Sequence, residues 1–507
     1  VLATLLSATL VGLDGRVVRV EVDVAPGLPG FSIVGLPDAA LQEAKERVRS
    51  AIRNSGFEYP PRRITVNLAP AELRKAGASL DLAIALGILV ATPQLRPRGP
   101  WAVLGELSLG GEIRAPVGLL PMVAALGRRG ARRIVVPADG VPEAALVDAV
   151  EVVGAADLES AAAVLRGRRT AARRRPDRVD AGPAEEGRAV SAPPDDVPDD
   201  TDLAEVRGQL AARRALEIAL AGEHGLLLVG PPGAGKTLLA RTIPGLLPPL
   251  DDHEALAATI VESAAGGRPT RLLRRRPFRA PHHTSSYAAI VGGGPRLSPG
   301  EVTLASGGVL FLDELPEFPR DVLDALREPL EEGTIEVARV GRHARFPARF
   351  QLVAAMNPCP CGLAGQPEGC RCPPGVPERY AARISGPLRD RIDLRVDLGR
   401  VPAIEVLGHG EPEPSAAVRD RIATARVRQL RRDGELNGRL AGRRLRRACG
   451  LDESVRRRAV ELATLEGYSA RGTERLLRVA RTIADLAGED RVRIDHLDEA
   501  AAYRLGL

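Results

Sequence analysis

The sequence predicts an α/β protein in three parts: an α+β segment over residues 1–165, a parallel-sheet core over 201–400 and a helical segment over 401–507. Three observations predict it. Short apolar runs at Leu226–Val229, Val309–Leu312 and Phe350–Met356 have the length and composition of strands buried in a parallel sheet. Before residue 165, strand-like alternation and helix-like spacing take turns. After the Pro-rich joint Glu411-Pro-Glu-Pro414 only helical spacing recurs.

In the front segment, Val17–Val24 alternates strictly and reads as a half-buried strand, followed by the turn Pro26–Gly30 and a strand at Phe31–Val34. Pro37–Asn54 has helical spacing through Leu41, Ala44, Val48 and Ile52. Ile64–Leu68 reads as a strand and Leu80–Ala91 as an apolar helix. Strands at Val103–Leu104 and Ile134–Val136 bracket a helix over Leu120–Arg128. Ser79, at the junction before the apolar helix, is expected to be its N-cap, because a hydroxyl there satisfies orphan N–H groups. Residues 166–200 run from an Arg-rich stretch into a Pro-, Asp- and Glu-rich one. Such a segment cannot bury a core and reads as a solvated tether; a basic arm on nucleic acid is the other reading of its arginines.

Composition bounds the partners. With 507 residues the chain is long enough for two to four domains, and 44% hydrophobic residues is ordinary for a water-exposed fold. Only 3% is aromatic, which argues against base-stacking platforms, and a net charge of +6 permits a nucleic-acid partner without requiring one. Lysines are confined to Lys45, Lys75 and Lys236, so almost every cation is arginine. No stretch has the length and apolarity of a membrane span or reads as a secretory signal, and five cysteines do not suggest an oxidised scaffold, so a cytoplasmic location is expected.

The core carries the chemistry. The run Leu226–Val229 leads directly into Gly230-Pro231-Pro232-Gly233-Ala234-Gly235-Lys236-Thr237, a full Walker A pattern. Its glycines let backbone N–H groups turn in around a phosphate, and the following helix adds its positive end. Lys236 is expected to reach the β/γ-phosphates of ATP and Thr237 to ligate Mg²⁺. A second strand, Val309–Leu312, ends in Asp313-Glu314, where ligands bind in open α/β sheets. Asp313 is expected to hold Mg²⁺ and Glu314 to polarise the attacking water. The third run ends at Asn357, whose amide can orient the same water, the sensor-1 role of AAA+ ATPases. Amphipathic spacing over Asp202–Ala221 predicts a helix ahead of the Walker A strand.

Two inserts and a cysteine loop distinguish this core. Arg276–His283 and Gly292–Glu301 lie between the two nucleotide motifs. Thr334–Phe346 alternates around Gly341 and reads as a β-hairpin with Arg339, Arg342, His343 and Arg345 near its tip. The adjacent His282 and His283 are expected to point different ways. Cys359-Pro-Cys361 and Cys370-Arg-Cys372 supply four thiols in a loop too short for a core of its own, enough to close a tetrahedral structural zinc site. Cys449 reads as a free thiol. After residue 414, helices are expected at Ser415–Arg432, Asp452–Glu466, Ala470–Ala487 and His496–Leu505.

The stretch from Val206-Arg-Gly-Gln to Ile392-Asp resembles the magnesium-chelatase-like AAA+ family. Arg74–Leu82 and Gly118–Pro137 resemble segments of Lon-type proteases (the ribosomal S5 domain 2-like fold), with Ser79 at the nucleophile position. Leu120 stands where that family has its catalytic lysine, so a protease-inactive domain is implied unless Lys75 substitutes. The whole chain resembles the ComM (YifB-type) competence proteins. The resemblance implies a P-loop AAA+ core with a C-terminal helical lid, in a homo-oligomeric ring that is a hexamer. It places Arg391 of Ser385–Leu394 at the arginine-finger position, with Arg383 and Arg389 as competitors. It puts Arg471 at the sensor-2 position, Arg475 nearby being read as solvent-facing, and Arg339 at the DNA-contacting place of a pore hairpin that also carries Arg342; a solvated hairpin in an Arg-biased chain is the other reading of these arginines. Implied with it are ATP hydrolysis coupled to translocation on single-stranded or branched DNA, a branch-migration helicase in recombination or natural transformation, with recombination proteins as partners. The alternative is the motor subunit of a magnesium chelatase, which would insert the metal with partner subunits.

Overall fold

A computed structural model describes residues 2–75, 77–168, 173–174, 201–294, 297–339, 342–365, 369–402, 404 and 412–504. Most of the expected tether at 166–200 lies outside them. The front segment forms an eight-stranded mixed sheet. Its order is Arg173–Arg174, Glu151–Ala155, Arg133–Pro137, Ala102–Val103, Leu2–Val11, Asp14–Ala25, Arg63–Ala69 and Gly30–Val34. Side chains alternate between the faces of a strand, and both faces are covered here. Val18, Val20, Val22, Val66, Val135 and Val153 pack with the helix Asp81–Ala91, whereas Ala8, Ile134, Val136 and Val152 pack with the helix Leu119–Arg128. Asp81–Ala91 is apolar on nearly every side, as a helix enclosed by its neighbours must be.

Two front-segment expectations change, and one strand is added to those read from the sequence. The long strand Leu2–Val11 pairs along its whole length with Asp14–Ala25. The helix expected over Pro37–Asn54 is two pieces, Ala39–Gln42 and Ala44–Asn54. Ser79 is not a cap: the N-cap position is Leu80, and the Ser79 hydroxyl donates to the Ala8 carbonyl at 3.2 Å. A tertiary acceptor on the neighbouring strand has taken the hydroxyl that local reasoning assigned to the helix end.

The core is a five-stranded, wholly parallel sheet in the order Phe278–Arg279, Val309–Leu312, Gln351–Met356, Leu226–Val229 and Leu394–Asp397. One outer strand falls in the stretch read from sequence as an insert, and the other begins at Leu394, the last residue of the finger segment. Asp202–Ala221 is not one helix. A short 3-10 turn at Leu203–Glu205 is separated from the helix Leu210–Gly222 by Gly208 and Gln209, both at positive φ.

Among the described residues five helices follow: Ser415–Asp433, Gly442–Cys449, Glu453–Leu465, Ala470–Leu486 and Ile494–Ala502. They share one apolar cluster with a face of the core sheet, in which Leu226, Leu228 and Val353 meet Leu216, Ile422, Leu476 and Ile483. No helix among the described residues is long and apolar enough to cross a membrane.

The front segment docks on the core through the helices Leu119–Arg128 and Asp252–Ala264. The Gly118 N–H donates to the Ser263 carbonyl at 3.1 Å. The buried Glu143 carboxylate accepts from the Ser263 hydroxyl at 2.5 Å and the Leu120 N–H at 3.0 Å. Burial pushes the Glu143 carboxyl above the ordinary carboxylate range, and those two donors pull it back. Leu120 thus serves this junction through its backbone, with its side chain in the apolar core.

Candidate active site

The C-terminal ends of three adjacent parallel strands meet at one place. Leu226–Val229 runs into the glycine-rich loop and then the helix Lys236–Arg241. Gly233 and Gly235 have φ of 79° and 88°, and a Cβ at either would meet nothing within 4 Å. Conformation, then, rather than crowding, requires glycine at these two positions. It is this left-handed geometry that turns successive N–H groups toward one point, as an anion-binding loop needs.

Lys236 is 8% exposed, and its ammonium donates to the carbonyls of Gly230 at 2.7 Å and Pro231 at 3.0 Å and to Asn357 Oδ1 at 3.1 Å. Burial lowers its pKa, while Asp313 and Glu314 act in the opposite direction. The Thr237 hydroxyl donates to Asp313 Oδ2 at 2.6 Å, and Asp313 Oδ1 accepts the Glu314 N–H at 2.9 Å. A hydroxyl and a carboxylate side by side form a hard oxygen donor set, which suits Mg²⁺. The residues assigned to Walker A, Walker B and sensor 1 therefore come together as a single constellation.

Glu314 has φ of 54°, an uncommon conformation for a residue with a side chain. Its carboxylate lies 3.0 Å from Nδ1 of His283, on the loop after the strand Phe278–Arg279. His282 and His283 do not diverge as expected: their rings are stacked at a tilt, with centroids 4.1 Å apart. Gln209 is another residue the sequence did not single out. Its amide donates to the carbonyls of Ala234 at 3.1 Å and Gly399 at 2.6 Å, tying the loop to the segment after the last core strand. Neither contact has a local signal, since each joins residues far apart in the chain.

The arginines distribute differently. Arg391 is ion-paired with Glu331 of the same chain. Arg383 donates to the Pro316 carbonyl and Glu317, and Arg389 is exposed. Arg471 is exposed, and its carbonyl accepts from Arg475. Arg475 is the correction: it is buried, not solvent-facing, and donates to Asp390 at 3.0 Å and to the carbonyls of Arg389 and Ile392. The expected hairpin is present as Thr334–Arg339 paired with Arg342–Pro347. Arg339 and Arg342 form its last backbone pair, and their side chains lie outside the described residues. Arg345 sits toward the base rather than the tip, with its guanidinium on Thr334.

Cys359, Cys361, Cys370 and Cys372 converge, all four sulfurs lying within 4.8 Å of one another, an arrangement that can hold a metal ion. Cys449 is a buried thiol, pushed up to about 12 by burial, with its sulfur against the Leu477 carbonyl.

Comparison with known proteins agrees with this architecture. Residues 202–406 match the family model described as magnesium chelatase, subunit ChlI; 20–140 match subunit ChlI of Mg-chelatase; and 412–504 match the ChlI C-terminal model. An uncharacterized protein of Mycobacterium tuberculosis is 43% identical over 98% of this chain and 97% of its own length. The YifB protein of Escherichia coli is 43% identical over 97% of this chain and 95% of its own, and the competence protein ComM of Haemophilus influenzae is 41% identical over 99% and 97%. With a parallel-sheet core carrying the nucleotide motifs and relatives matched over nearly their whole length, the chain belongs to the ComM/YifB family of magnesium-chelatase-like proteins.

Proposed function

We propose that this chain is an ATP-hydrolysing ring motor that acts on DNA. One observation carries the ATPase reading: at the ends of adjacent parallel strands Lys236 is hydrogen-bonded to Asn357 and its neighbour Thr237 to Asp313, with Glu314 beside them. Lys236 and the N–H groups of residues 233–237 would hold the triphosphate of ATP. Thr237 and Asp313 would hold Mg²⁺, which supplies charge neutralisation on the phosphates. Glu314 and Asn357 would orient the attacking water. Arg391 is the proposed finger, reaching the neighbouring subunit's nucleotide on exchanging Glu331 for phosphate, and Arg471 the proposed sensor-2 residue. In this reading the helices of 412–504 are the lid of an AAA+ hexamer.

The front segment is proposed as a Lon-like fold without protease chemistry. The Ser79 hydroxyl is turned to Ala8, the Lys75 ammonium donates to the carbonyls of Gly35 and Pro70, and Leu120 is apolar. A Ser–Lys dyad needs its two groups hydrogen-bonded to each other.

Support for DNA comes from the arginine-bearing hairpin and from the similarity to a competence protein. The test is ATP turnover with no DNA and with single-stranded, duplex and four-way-junction DNA. Stimulation by DNA is expected, greatest for single-stranded or branched forms. In Arg339→Ala the stimulation should disappear while turnover without DNA persists. Turnover indifferent to every DNA, with no binding at low salt where phosphate contacts are strongest, would reject the DNA substrate and favour a chelatase-type motor.

A further inference from the structure

The cysteine loop lies against the proposed nucleotide site. Its first cysteine, Cys359, is two residues beyond Asn357, whose side chain accepts from Lys236. Further along, Gly362 rests on the glycine-rich loop: a Cβ there would lie 2.4 Å from Cδ of Pro232, so even alanine would collide with that ring. The Gly230 N–H donates to the Met356 carbonyl at 3.2 Å, which joins the same two segments from the other side. The loop therefore continues directly from the residue proposed to orient water and rests on the loop proposed to hold phosphate.

Three of the four sulfurs have the spacing of one face of a metal-thiolate tetrahedron, and the fourth, of Cys372, lies within 4.8 Å of them. With Zn–S bonds of about 2.3 Å, the sulfurs of a regular tetrahedron stand about 3.8 Å apart. Cys359–Cys361, Cys370–Cys359 and Cys361–Cys370 are separated by 3.4, 3.6 and 3.8 Å. Backbone N–H groups also point at the sulfurs: those of Ala364, Arg371 and Cys372 each donate at 3.4 Å, to Cys359, Cys361 and Cys370 respectively. Donors of this kind stabilise thiolates and orient metal ligands. Cys359 is fully buried, so the cluster is anchored at the end of the core sheet and is not confined to a loose surface turn.

We propose that Cys359, Cys361, Cys370 and Cys372 bind one zinc-class ion and that this ion is a strut fixing Asn357 relative to the glycine-rich loop. ATP turnover then depends on a thiolate-bound metal separate from the Mg²⁺ proposed at Thr237 and Asp313. The coupling rests on the ATPase reading above; the metal site does not. Four protein thiolates leave no open position, so the ion is structural and takes no substrate. Its effect is mechanical: without it, the segment of Cys359 and Cys361 loses its tie to that of Cys370 and Cys372, and Gly362 loses its defined seat on Pro232.

The test uses the full-length chain and two readouts. The first is metal content, with Co²⁺ exchanged into the site and its thiolate charge-transfer absorption recorded. The second is ATP turnover without DNA in excess Mg²⁺, before and after the soft metal is stripped by a thiol reagent and chelator, and again after Zn²⁺ is restored to the reduced protein. About one ion per chain is expected. Stripping should lower kcat by about 10- to 100-fold, the range seen when groups supporting a metal centre are lost, and restoring Zn²⁺ should recover it. Cys361→Ser with Cys370→Ser should lose both metal and turnover. Cys372→His, which keeps a zinc ligand, should retain both and separates loss of the ion from misfolding.

Absence of bound metal and of the cobalt–thiolate band would overturn the site. Metal that can be removed with no change in kcat would overturn the strut and leave the ATPase reading intact. A chain that binds metal yet hydrolyses no ATP in any state would overturn the ATPase reading and the coupling together, with the metal count still deciding the site.

Discussion

Glu314→Gln is expected to leave nucleotide bound and to cut ATP turnover by about 10²- to 10³-fold, the usual cost of losing one group aimed at a transition state. The expectation follows from how the neighbouring acceptors are occupied. Both oxygens of Asp313 are engaged, one by Thr237 and one by the Glu314 N–H. Glu314 instead has a half-exposed carboxylate whose close side-chain partner among the described residues is His283, and so is the acceptor open to meet a water. Its left-handed backbone, at φ 54°, is a conformation that costs about 1–3 kcal/mol and persists where the surrounding structure imposes it. Gln has the same shape and retains a polar contact with His283 but cannot carry the negative charge. Lys236→Ala is the complementary change: it removes the buried cation and should abolish nucleotide binding itself. The measurements are binding of a fluorescent ATP analogue and release of phosphate. Turnover of Glu314→Gln within about threefold of the parent would remove Glu314 from its proposed role.

The parts of this arrangement that were legible in the sequence are those encoded by adjacent residues. An apolar strand, a glycine-rich loop and a Lys-Thr pair are contiguous, so their chemistry could be read without knowing the fold. Asp313-Glu314 and Asn357 were found because each terminates a buried strand and ligands gather at such ends. The hairpin was visible in the alternation of Thr334–Phe346. What escaped depends on contacts across the chain. Gln209 and His283 touch the site from segments read as a helix interior and an insert, and nothing in their own neighbourhoods announces it. Ser79 was assigned to its helix because local rules favour a cap, yet the acceptor it found is Ala8 on a strand 71 residues away. Arg475 carries the same lesson with charge: an arginine in an Arg-rich chain reads as solvated, and its burial against Asp390 appears only once the segments are packed.

The same long-range polar packing gives the largest stability effect expected. Asp485→Ala should destabilise the C-terminal helices by about 3–5 kcal/mol, the cost of leaving a buried charge without its partner. The Asp485 carboxylate, on the helix Ala470–Leu486, is fully buried. It accepts from Arg432 at 2.6 and 3.1 Å, Arg481 at 2.8 Å and Asn437 at 2.8 Å. Arg481 is itself fully buried, and Asp485 is the carboxylate it meets; its other acceptors here are the carbonyls of Ala448, Glu489 and Asp490. Removing Asp485 strands that guanidinium, whereas an apolar pair such as Arg481→Met with Asp485→Leu removes both charges and should recover much of the loss. Hydrogen exchange of the amides in Ala470–Leu486 would measure the effect locally, in a chain whose separate parts need not unfold together. A change below about 1 kcal/mol would place this group with ordinary surface pairs. The consequence reaches the proposed catalytic residues. Asn437 also donates to Thr482, which meets His224, and His224 meets Asp393 at the start of the last core strand. From the same helix, Arg475 holds Asp390, next to Arg391. A helix loosened by Asp485→Ala would therefore free the segment that carries the proposed finger, and turnover in the proposed ring should fall although no nucleotide-site residue has changed.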